Sequence, residues 1–256
     1  MSGSGSEPGG SPDPIRDKDP ADIQRATEEV LGFNFRSLKT LKDLTIRPAT
    51  VFAAYSNRDT VTYTPALRLW LGILGIQIGL SFLWGGYADI MRRQTSQMPP
   101  EQIAQVESAF GVSFDVYIDT VADASAVLHA PMVGFATAII ALIPGLVGRN
   151  LSWPARLNIT FGILSVGSIV GIAMMPIAAN VVNGSYYSMP VLLAIYFAVH
   201  FRGTPGIGIT ALWSRIWRGA MFSVATLFFV LVGGVLMSLA SIAWFVFQLQ
   251  TGALTG

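Results

Sequence analysis

The sequence predicts an all-α, polytopic membrane protein with five transmembrane helices, and three observations support this fold class. First, 52% of the 256 residues are hydrophobic and only 12% are charged, whereas about 25% of the residues in a soluble protein are charged. Second, no Asp or Glu follows Asp123. Third, the uncharged stretch Leu69–Tyr87 would form a helix of about 28 Å, close to the thickness of the hydrocarbon core of a bilayer.

The N-terminal part of the chain is much more polar than the rest. Residues 1–18 are mostly Gly, Ser, Pro and Asp. This composition cannot bury enough apolar surface to fold, so we expect a disordered tail. The tail has no apolar core of a signal peptide, so we expect no cleavage there. Asp19 and Pro20 then predict the start of a short helix, which opens a cytosolic arm over residues 19–65.

Within the arm, apolar residues recur at every third position from Phe35 to Leu44, with basic residues between them. This spacing predicts an amphipathic helix on a membrane surface, where each base adds about 1 kcal/mol of attraction to anionic lipid head groups. The alternative is a helix that packs on its own cytosolic domain. The residues predicted to contact the membrane surface are Phe35, Arg36, Leu38, Lys39, Leu41 and Lys42.

Five apolar stretches make up a predicted membrane domain over residues 66–249. The first, Leu69–Tyr87, has aromatic residues near both of its ends, and such residues are typical anchors at a membrane interface. A helical insert on the outer side, residues 99–127, separates the first stretch from the second. The fourth stretch is just shorter than the usual range, and the fifth is longer than one crossing needs. The four later stretches are Val127–Gly148, Leu157–Val182, Tyr186–Phe201 and Ala220–Leu249.

The distribution of Lys and Arg predicts the orientation of these five helices. If the N-terminus is cytoplasmic, fourteen Lys and Arg lie on the cytoplasmic side and only Arg92 and Arg93 lie outside. Basic residues are enriched in the cytoplasmic loops of membrane proteins. The count therefore predicts a multi-pass protein of the cell membrane with a cytoplasmic N-terminus and an external C-terminus.

A series of short motifs begins in the arm and ends in the first apolar stretch. It consists of Thr40-Leu41, Leu44, Arg47-Pro48, Tyr55, Arg58, Tyr63-Thr64-Pro65 and Arg68-Leu69. The series resembles a family of bacterial inner-membrane proteins described only as a domain of unknown function, with a layout similar to the five-span Yip-type membrane domain. The resemblance covers residues 34–90 by motif and the rest by the arrangement of spans. It implies a bacterial inner-membrane location but no activity, substrate or cofactor. Members often begin with a four-cysteine zinc ribbon, which this chain lacks because it has no cysteine.

Few residues are candidates for a chemical or metal site. Asp115, Asp119 and Asp123 share one edge of a predicted helix and could bind a cation. Calcium sites, however, use six to eight oxygen ligands, usually on a loop, so a solvated helix face is the alternative. His129 and His200 lie at predicted membrane edges, and no Ser-His-Asp set can be assembled. We therefore predict no catalytic residue, no metal site, no cofactor and no nucleic-acid partner.

Two pairs of glycines with four-residue spacing lie in the predicted spans. These are Gly75 with Gly79 and Gly167 with Gly171. Small residues at this spacing allow membrane helices to pack closely. We predict that they mediate helix packing within one chain, with association of two copies as the alternative.

Three classes of function are compatible with this sequence. We favour a non-enzymatic integral membrane protein that scaffolds, assembles or adapts a membrane protein partner. The alternative is a small permease or lipid-handling protein that works through the second and third spans, which contain prolines able to kink a helix. A membrane enzyme comes third, because no convergent polar set is visible. The most polar groups at depth, which could line a path for a lipid-like molecule, are Gln77, Thr137, Thr160 and Thr226.

Overall fold

A computed structural model describes residues 35–59, 61–181 and 184–254 of the chain. The predicted disordered tail and the first part of the predicted arm lie outside the described residues. Within these ranges the chain is helical and contains no strand, which confirms the all-α fold class. The helices are α1 (Phe35–Ile46), α2 (Pro48–Ser56), α3 (Ala66–Ser81), α4 (Gly86–Thr95), α5 (Pro100–Phe110), α6 (Phe114–Leu142), α7 (Pro144–Val147), α8 (Trp153–Asn180), α9 (Gly184–Gly203) and α10 (Leu212–Gln250), with 3₁₀ turns at Phe82–Trp84 and Thr204–Ile207.

Three of the described helices, α6, α8 and α10, are long and apolar enough to cross a membrane. Helices α3 and α4 meet the same criterion only when they are taken together as one bent pair. The described part of the chain therefore has three helices able to span a bilayer, or four with the bent pair, where the sequence predicts five. The length and composition of these helices are consistent with a membrane protein.

The first predicted span is not one continuous helix. Helix α3 ends at Ser81, and α4 continues after a single 3₁₀ turn at an angle of 66° to α3. The break lies at Gly85 and Gly86, whose φ values of 83° and 72° are left-handed and end a right-handed helix. The prediction of one helix over Leu69–Tyr87 was therefore wrong, because the hydropathy of a stretch carries no information about the backbone conformation of its glycines.

The segment that the sequence predicts to lie on the outer side runs directly into the second apolar stretch. Helix α5 ends at Phe110 and is followed by Gly111, which has a φ of 69°. Helix α6 starts after Ser113, whose hydroxyl accepts a hydrogen bond from the backbone N–H of Val116 at 3.4 Å. Helix α6 then continues without a break past residue 127, where the sequence predicts a boundary. The acidic segment and the apolar stretch are therefore two halves of one long helix.

Four long helices form a ring. Helix α6 packs on α8 and on α10, and α9 lies between α8 and α10 on the other side. Helix α3 packs on the outside of α8, and α4 packs on α6. The main apolar core joins this ring to the arm and to α3, and it includes the buried side chains of Phe52, Leu69 and Ile159.

At one end of the ring, here named the basic end, three separate segments are joined by arginines. Arg202 donates hydrogen bonds to the carbonyl oxygens of Thr45 and Ile46 at the end of α1, at 3.1 and 2.6 Å. Arg218 donates to the carbonyl oxygen of Gly145, between α6 and α8, at 2.9 Å. Cations favour the carboxyl ends of helices, where unpaired carbonyl groups are concentrated. Eleven of the thirteen Lys and Arg in the described residues lie at this end.

The opposite end, here named the acidic end, contains α4, α5, the start of α6 and the end of α10. The hydroxyls of Ser125 and Ser241 lie 3.0 Å apart, and the ring of Phe245 packs edge-on against that of Tyr117 at 5.2 Å. Asn180, at the end of α8, accepts a hydrogen bond from Arg93 of α4 at 3.2 Å. Six of the eight Asp and Glu in the described residues lie here, so the charges of the two ends are opposite.

Candidate functional site

An apolar cavity of about 190 Å³ lies inside the ring of α6, α8, α9 and α10. Most of its wall comes from α6 and α10, while α8 contributes Thr160 and Leu164 and α9 contributes Tyr196. The described residues of the wall include no Asp, Glu, Lys or Arg. Cavities lined mainly by apolar side chains, with a few polar groups, are the usual form of a site for a small molecule.

Three of the four polar residues that the sequence places at depth meet at this cavity. They are Thr137 of α6, Thr160 of α8 and Thr226 of α10, whereas Gln77 of α3 lies outside the lining. Each threonine hydroxyl donates to the carbonyl oxygen four residues earlier in its own helix, at 2.7 to 2.9 Å. A hydroxyl has a single hydrogen atom, so these groups have no further proton to donate to a ligand. The arrangement favours a ligand held by apolar contact.

The cavity is closed toward the basic end, and its lining is partly exposed at the other end, next to the buried pair Ser125 and Ser241 that joins α6 to α10. The lining residues nearest the basic end, such as Ile140 and Phe222, are buried. Those nearer the acidic end, such as Met132, Gly233 and Met237, are partly exposed. The cavity is therefore a slot with a closed inner end, which suits retention of a molecule better than passage of one from end to end.

His129 stands at the open end of this slot. Its ring lies edge-on to that of Tyr87 in α4, with the ring centroids 6.1 Å apart. The sequence predicts an interfacial residue here but does not connect it to a cavity. The bend after α3 brings α4 against α6 and so places Tyr87 beside this histidine.

His200, which the sequence places at a membrane edge, is completely buried at the basic end, with 0% of its surface exposed. Its Nε2 atom lies 2.8 Å from the carbonyl oxygen of Leu146 in α7. Its ring packs against Phe222, with a centroid distance of 5.1 Å. His200 therefore joins the short helix α7 to α9 and α10, next to the closed end of the slot.

The outer face of α1 carries apolar and basic side chains. Phe35 is 79% exposed and Leu38 is 55% exposed, and Lys39 and Lys42 are exposed beside them. Leu41 differs from the prediction, because it packs partly buried against the main core. An exposed apolar stripe with flanking bases is the arrangement that binds an anionic membrane surface.

The inner face of α1 is polar and buried, which the sequence reasoning missed. Asp43, only 4% exposed, accepts a hydrogen bond from the Tyr63 hydroxyl at 3.0 Å and pairs with Arg47 at 3.1 Å. The hydroxyl of Thr40 accepts the backbone N–H of Thr64 at 3.0 Å. We name Thr40, Asp43, Tyr63 and Thr64 the polar clasp, since they attach α1 to the segment that leads into α3.

Further hydrogen bonds connect the polar clasp to the membrane helices. The hydroxyl of Tyr55 in α2 donates to the carbonyl oxygen of Thr64 at 2.9 Å, and Arg36 donates to that of Val61 at 3.3 Å. The backbone N–H of Ala66, at the start of α3, donates to the side-chain oxygen of Asn158 in α8 at 3.1 Å. The arm is thus joined to the ring by an ordered polar network, so α1 has a fixed position beside the basic end.

The aspartates on α6 belong to an ion-pair cluster. The guanidinium of Arg92 in α4 binds Asp119, lies 3.4 Å from Asp115, and pairs with Asp89 at 2.9 Å. Asp123 is exposed and takes no part in this cluster. In the part of the chain that the structure describes, no group of three or more His, Asp or Glu is placed to hold a metal ion.

The four glycines predicted to mediate helix packing have different surroundings. A Cβ atom on Gly167 would overlap the ring of Tyr196 in α9, so this glycine does allow α8 and α9 to approach. At Gly75, Gly79 and Gly171 a Cβ atom would meet no described atom within 4 Å. Helix packing through these three glycines, within one chain or between two copies, therefore stays a prediction.

Comparison of the chain with family models, with curated proteins and with solved structures finds no match. The resemblance to a bacterial inner-membrane family therefore stays a prediction. The function must be argued from the cavity and the arm themselves.

Membrane contact of the arm can be measured at one residue, because the chain has no cysteine. We expect Leu38→Cys, labelled with a solvent-sensitive fluorophore in proteoliposomes containing anionic lipid, to show blue-shifted emission that is quenched by spin label at the lipid head groups. Asn57→Cys, in the exposed turn after α2, should show neither effect. The shift at position 38 should weaken at about 1 M salt, where charges are screened within about 3 Å. Equal emission from the two labelled variants would contradict the membrane-surface position of α1.

Proposed function

We propose that the protein is a lipid-handling protein of the cell membrane that holds an apolar, lipid-like molecule in the cavity between α6, α8, α9 and α10. The observation that carries this proposal is the slot itself, which has apolar walls, few polar groups and a closed inner end. The polar groups of its wall are three threonine hydroxyls already engaged within their helices, the hydroxyl of Tyr196 and the imidazole of His129. That set suits binding better than acid–base or nucleophilic catalysis, which needs a base within reach of the reacting group.

A scaffold or assembly protein for a membrane protein partner is the second candidate. The observation that favours it is the face of α3 around Gly75 and Gly79, which no described atom of this chain covers. The two candidates differ in what remains bound after purification, since a scaffold retains a protein and a lipid-handling protein retains a lipid.

The proposal includes five crossings, a cytoplasmic N-terminus and an external C-terminus, in the inner membrane of a bacterium. Support comes from the alternation of the helices between the basic and acidic ends, because cytoplasmic segments are enriched in Lys and Arg. The exposed side chains of Trp153, Trp213 and Trp217 lie at the basic end, as expected of residues at a membrane interface. The bacterial location rests on the family resemblance of residues 34–90. The arm lies against the anionic head groups on the cytoplasmic side.

Accessibility of single cysteines tests this topology. We expect Ser96→Cys and Thr251→Cys to react with an impermeant maleimide added outside intact cells. Asn150→Cys and Thr210→Cys should react only after lysis. All four positions are exposed in the structure, so a cysteine that fails to react is protected by the membrane and not by burial within the protein. Labelling of position 150 or 210 from outside would contradict the five-crossing arrangement.

Filling the cavity tests the proposed function. Ala136 lines the slot, and we expect Ala136→Phe to lower the lipid that co-purifies with the protein in mild detergent about tenfold, a change of about 1.4 kcal/mol in binding. Ala173→Phe is the matched control, because Ala173 is exposed on α8 outside the lining. Native mass spectrometry of the three proteins gives the comparison. Equal lipid on all three would contradict the proposal, and a retained partner protein in its place would favour the scaffold.

A further inference from the structure

We infer that the ligand of the slot is a single acyl chain, which enters from the membrane leaflet on the acidic side and lies with its methyl end at the three threonines. This inference rests on the proposed function, because it concerns the chemistry and orientation of the molecule in the same cavity. It adds the ligand class, the point of entry and the direction of the chain.

The length of the slot matches one leaflet of a bilayer. Its wall on α6 runs from His129 to Ile140, a distance of eleven residue steps or about 16 Å along the helix. The hydrocarbon core of a bilayer is about 30 Å thick, so each leaflet contributes about 15 Å. The cavity volume of about 190 Å³, spread over this length, leaves a narrow space that an extended chain fills better than a rigid polycyclic molecule.

The wall of the slot determines which end of the molecule enters. The inner end is buried and apolar, and the threonine hydroxyls there have used their only protons within their own helices. A polar head group at that end would lose its hydrogen bonds to water and meet threonine hydroxyls whose protons are already donated, which is costly. A methyl end loses nothing, so the chain points toward the basic end.

The open end has the features of an entrance from the bilayer. Gly233 and Gly234 of α10 line it, and a Cβ atom on either would meet no described atom within 4 Å. His129 lies across from them, with Tyr87 beside it. The absence of side chains on one wall leaves room for the chain, and the imidazole is the polar group nearest the head of an amphiphile.

The same two glycines provide a sharp test, because a larger side chain there occupies the entrance without displacing a neighbour. The probes are a free fatty acid and a phospholipid, each with a photoreactive diazirine near the methyl end of one chain, and a photoreactive sterol. In proteoliposomes of the full chain, we expect the acyl probes to label Thr137–Ile140 or Phe222–Thr226.

We expect Gly233→Leu to reduce this labelling about tenfold, whereas Gly75→Leu, at an equally open glycine on α3, leaves it unchanged. If Gly233→Leu does not fold, Ala136→Phe gives the same comparison from the facing helix.

Each outcome has a distinct meaning. Acyl labelling at the inner end that Gly233→Leu abolishes supports the inference, and the stronger of the two acyl probes identifies a free fatty acid or a phospholipid chain as the source. Labelling by the methyl-end diazirine at His129 and Met237 overturns the orientation. Sterol labelling without acyl labelling overturns the ligand class but leaves the proposed function intact. If no probe labels any residue of the slot, the proposed function itself fails.

Discussion

Replacing Gly206 with alanine is expected to separate the arm from the membrane helices. A Cβ atom at this position would overlap the backbone carbonyl oxygen of Ala49 in α2. A flexible side chain could rotate away, but the backbone of a helix cannot, so α2 and the 3₁₀ turn Thr204–Ile207 must move apart. Overpacking of this kind costs about 1–3 kcal/mol, and we expect the upper end of that range. The expected results are a lower midpoint of thermal unfolding in detergent and faster tryptic cleavage within residues 35–58.

Gly171→Ala is the control for this prediction. The same change is made in a helix where a Cβ atom meets no described atom within 4 Å, and alanine has the higher helix propensity. Stability equal to or above that of the parent is expected there. A Gly206→Ala protein as stable and as resistant to trypsin as Gly171→Ala would show that α2 does not press on this turn.

Removal of the Asp43 carboxylate is expected to have the second-largest effect. In Asp43→Leu the buried hydroxyl of Tyr63 loses its acceptor, and an unsatisfied buried polar group costs about 1–3 kcal/mol. Lys42→Leu, at the exposed neighbouring position, should change stability little. Combining Asp43→Leu with Tyr63→Phe removes both partners, so the loss should be smaller than the sum of the two single losses. Additive losses in this double-mutant cycle would mean that the two side chains do not interact.

The same pair predicts a pH dependence at the alkaline end. Burial, and next the hydrogen bond to Asp43, raise the pKa of Tyr63 above its ordinary value of 10.0. A group whose pKa is raised by folding stabilises the folded protein fully below its unfolded pKa, and this contribution is lost as the pH rises through the folded pKa. The stability difference between the parent and Tyr63→Phe should therefore be constant from neutral pH to about 9 and should shrink above pH 10.

The composition and the hydropathy of the chain predict most of its long helices, because the length of each apolar stretch and the position of each charge can be seen in the sequence itself. The three threonines at the cavity were also named from sequence, as the most polar groups within apolar stretches. The sequence does not reveal that these three threonines face one another. Their meeting depends on the order of α6, α8 and α10 around the ring, which is set by packing between distant segments.

The polar clasp shows a second feature that prediction from sequence missed. In α1 the apolar residues Phe35, Leu38, Leu41 and Leu44 repeat every third position, and so do Ser37, Thr40 and Asp43. Periodicity alone assigns the apolar stripe to the contact face. The structure buries the polar stripe as well, because Tyr63 and Thr64 supply partners from 20 and 24 residues away. A pattern within one helix cannot reveal a hydrogen-bond partner on another segment.

The break after α3 has a local cause that is visible in the sequence. Gly85 and Gly86 stand together near the end of the uncharged run, and paired glycines permit the left-handed backbone that ends a helix. Their effect reaches the site, since the bend directs α4 toward α6 and places Tyr87 beside His129. A hydropathy window averages over such positions and treats them as helix.

The central claim, that the slot between α6 and α10 holds an apolar chain, is tested most directly by a cryo-electron microscopy map of the full-length protein in lipid nanodiscs. The expected result is an elongated density inside the ring, running from the level of Gly233 to the level of Thr226. It should be missing from the map of Ala136→Phe and present in that of Ala173→Phe. A slot that is empty in the parent protein, or filled by its own side chains, would contradict the claim.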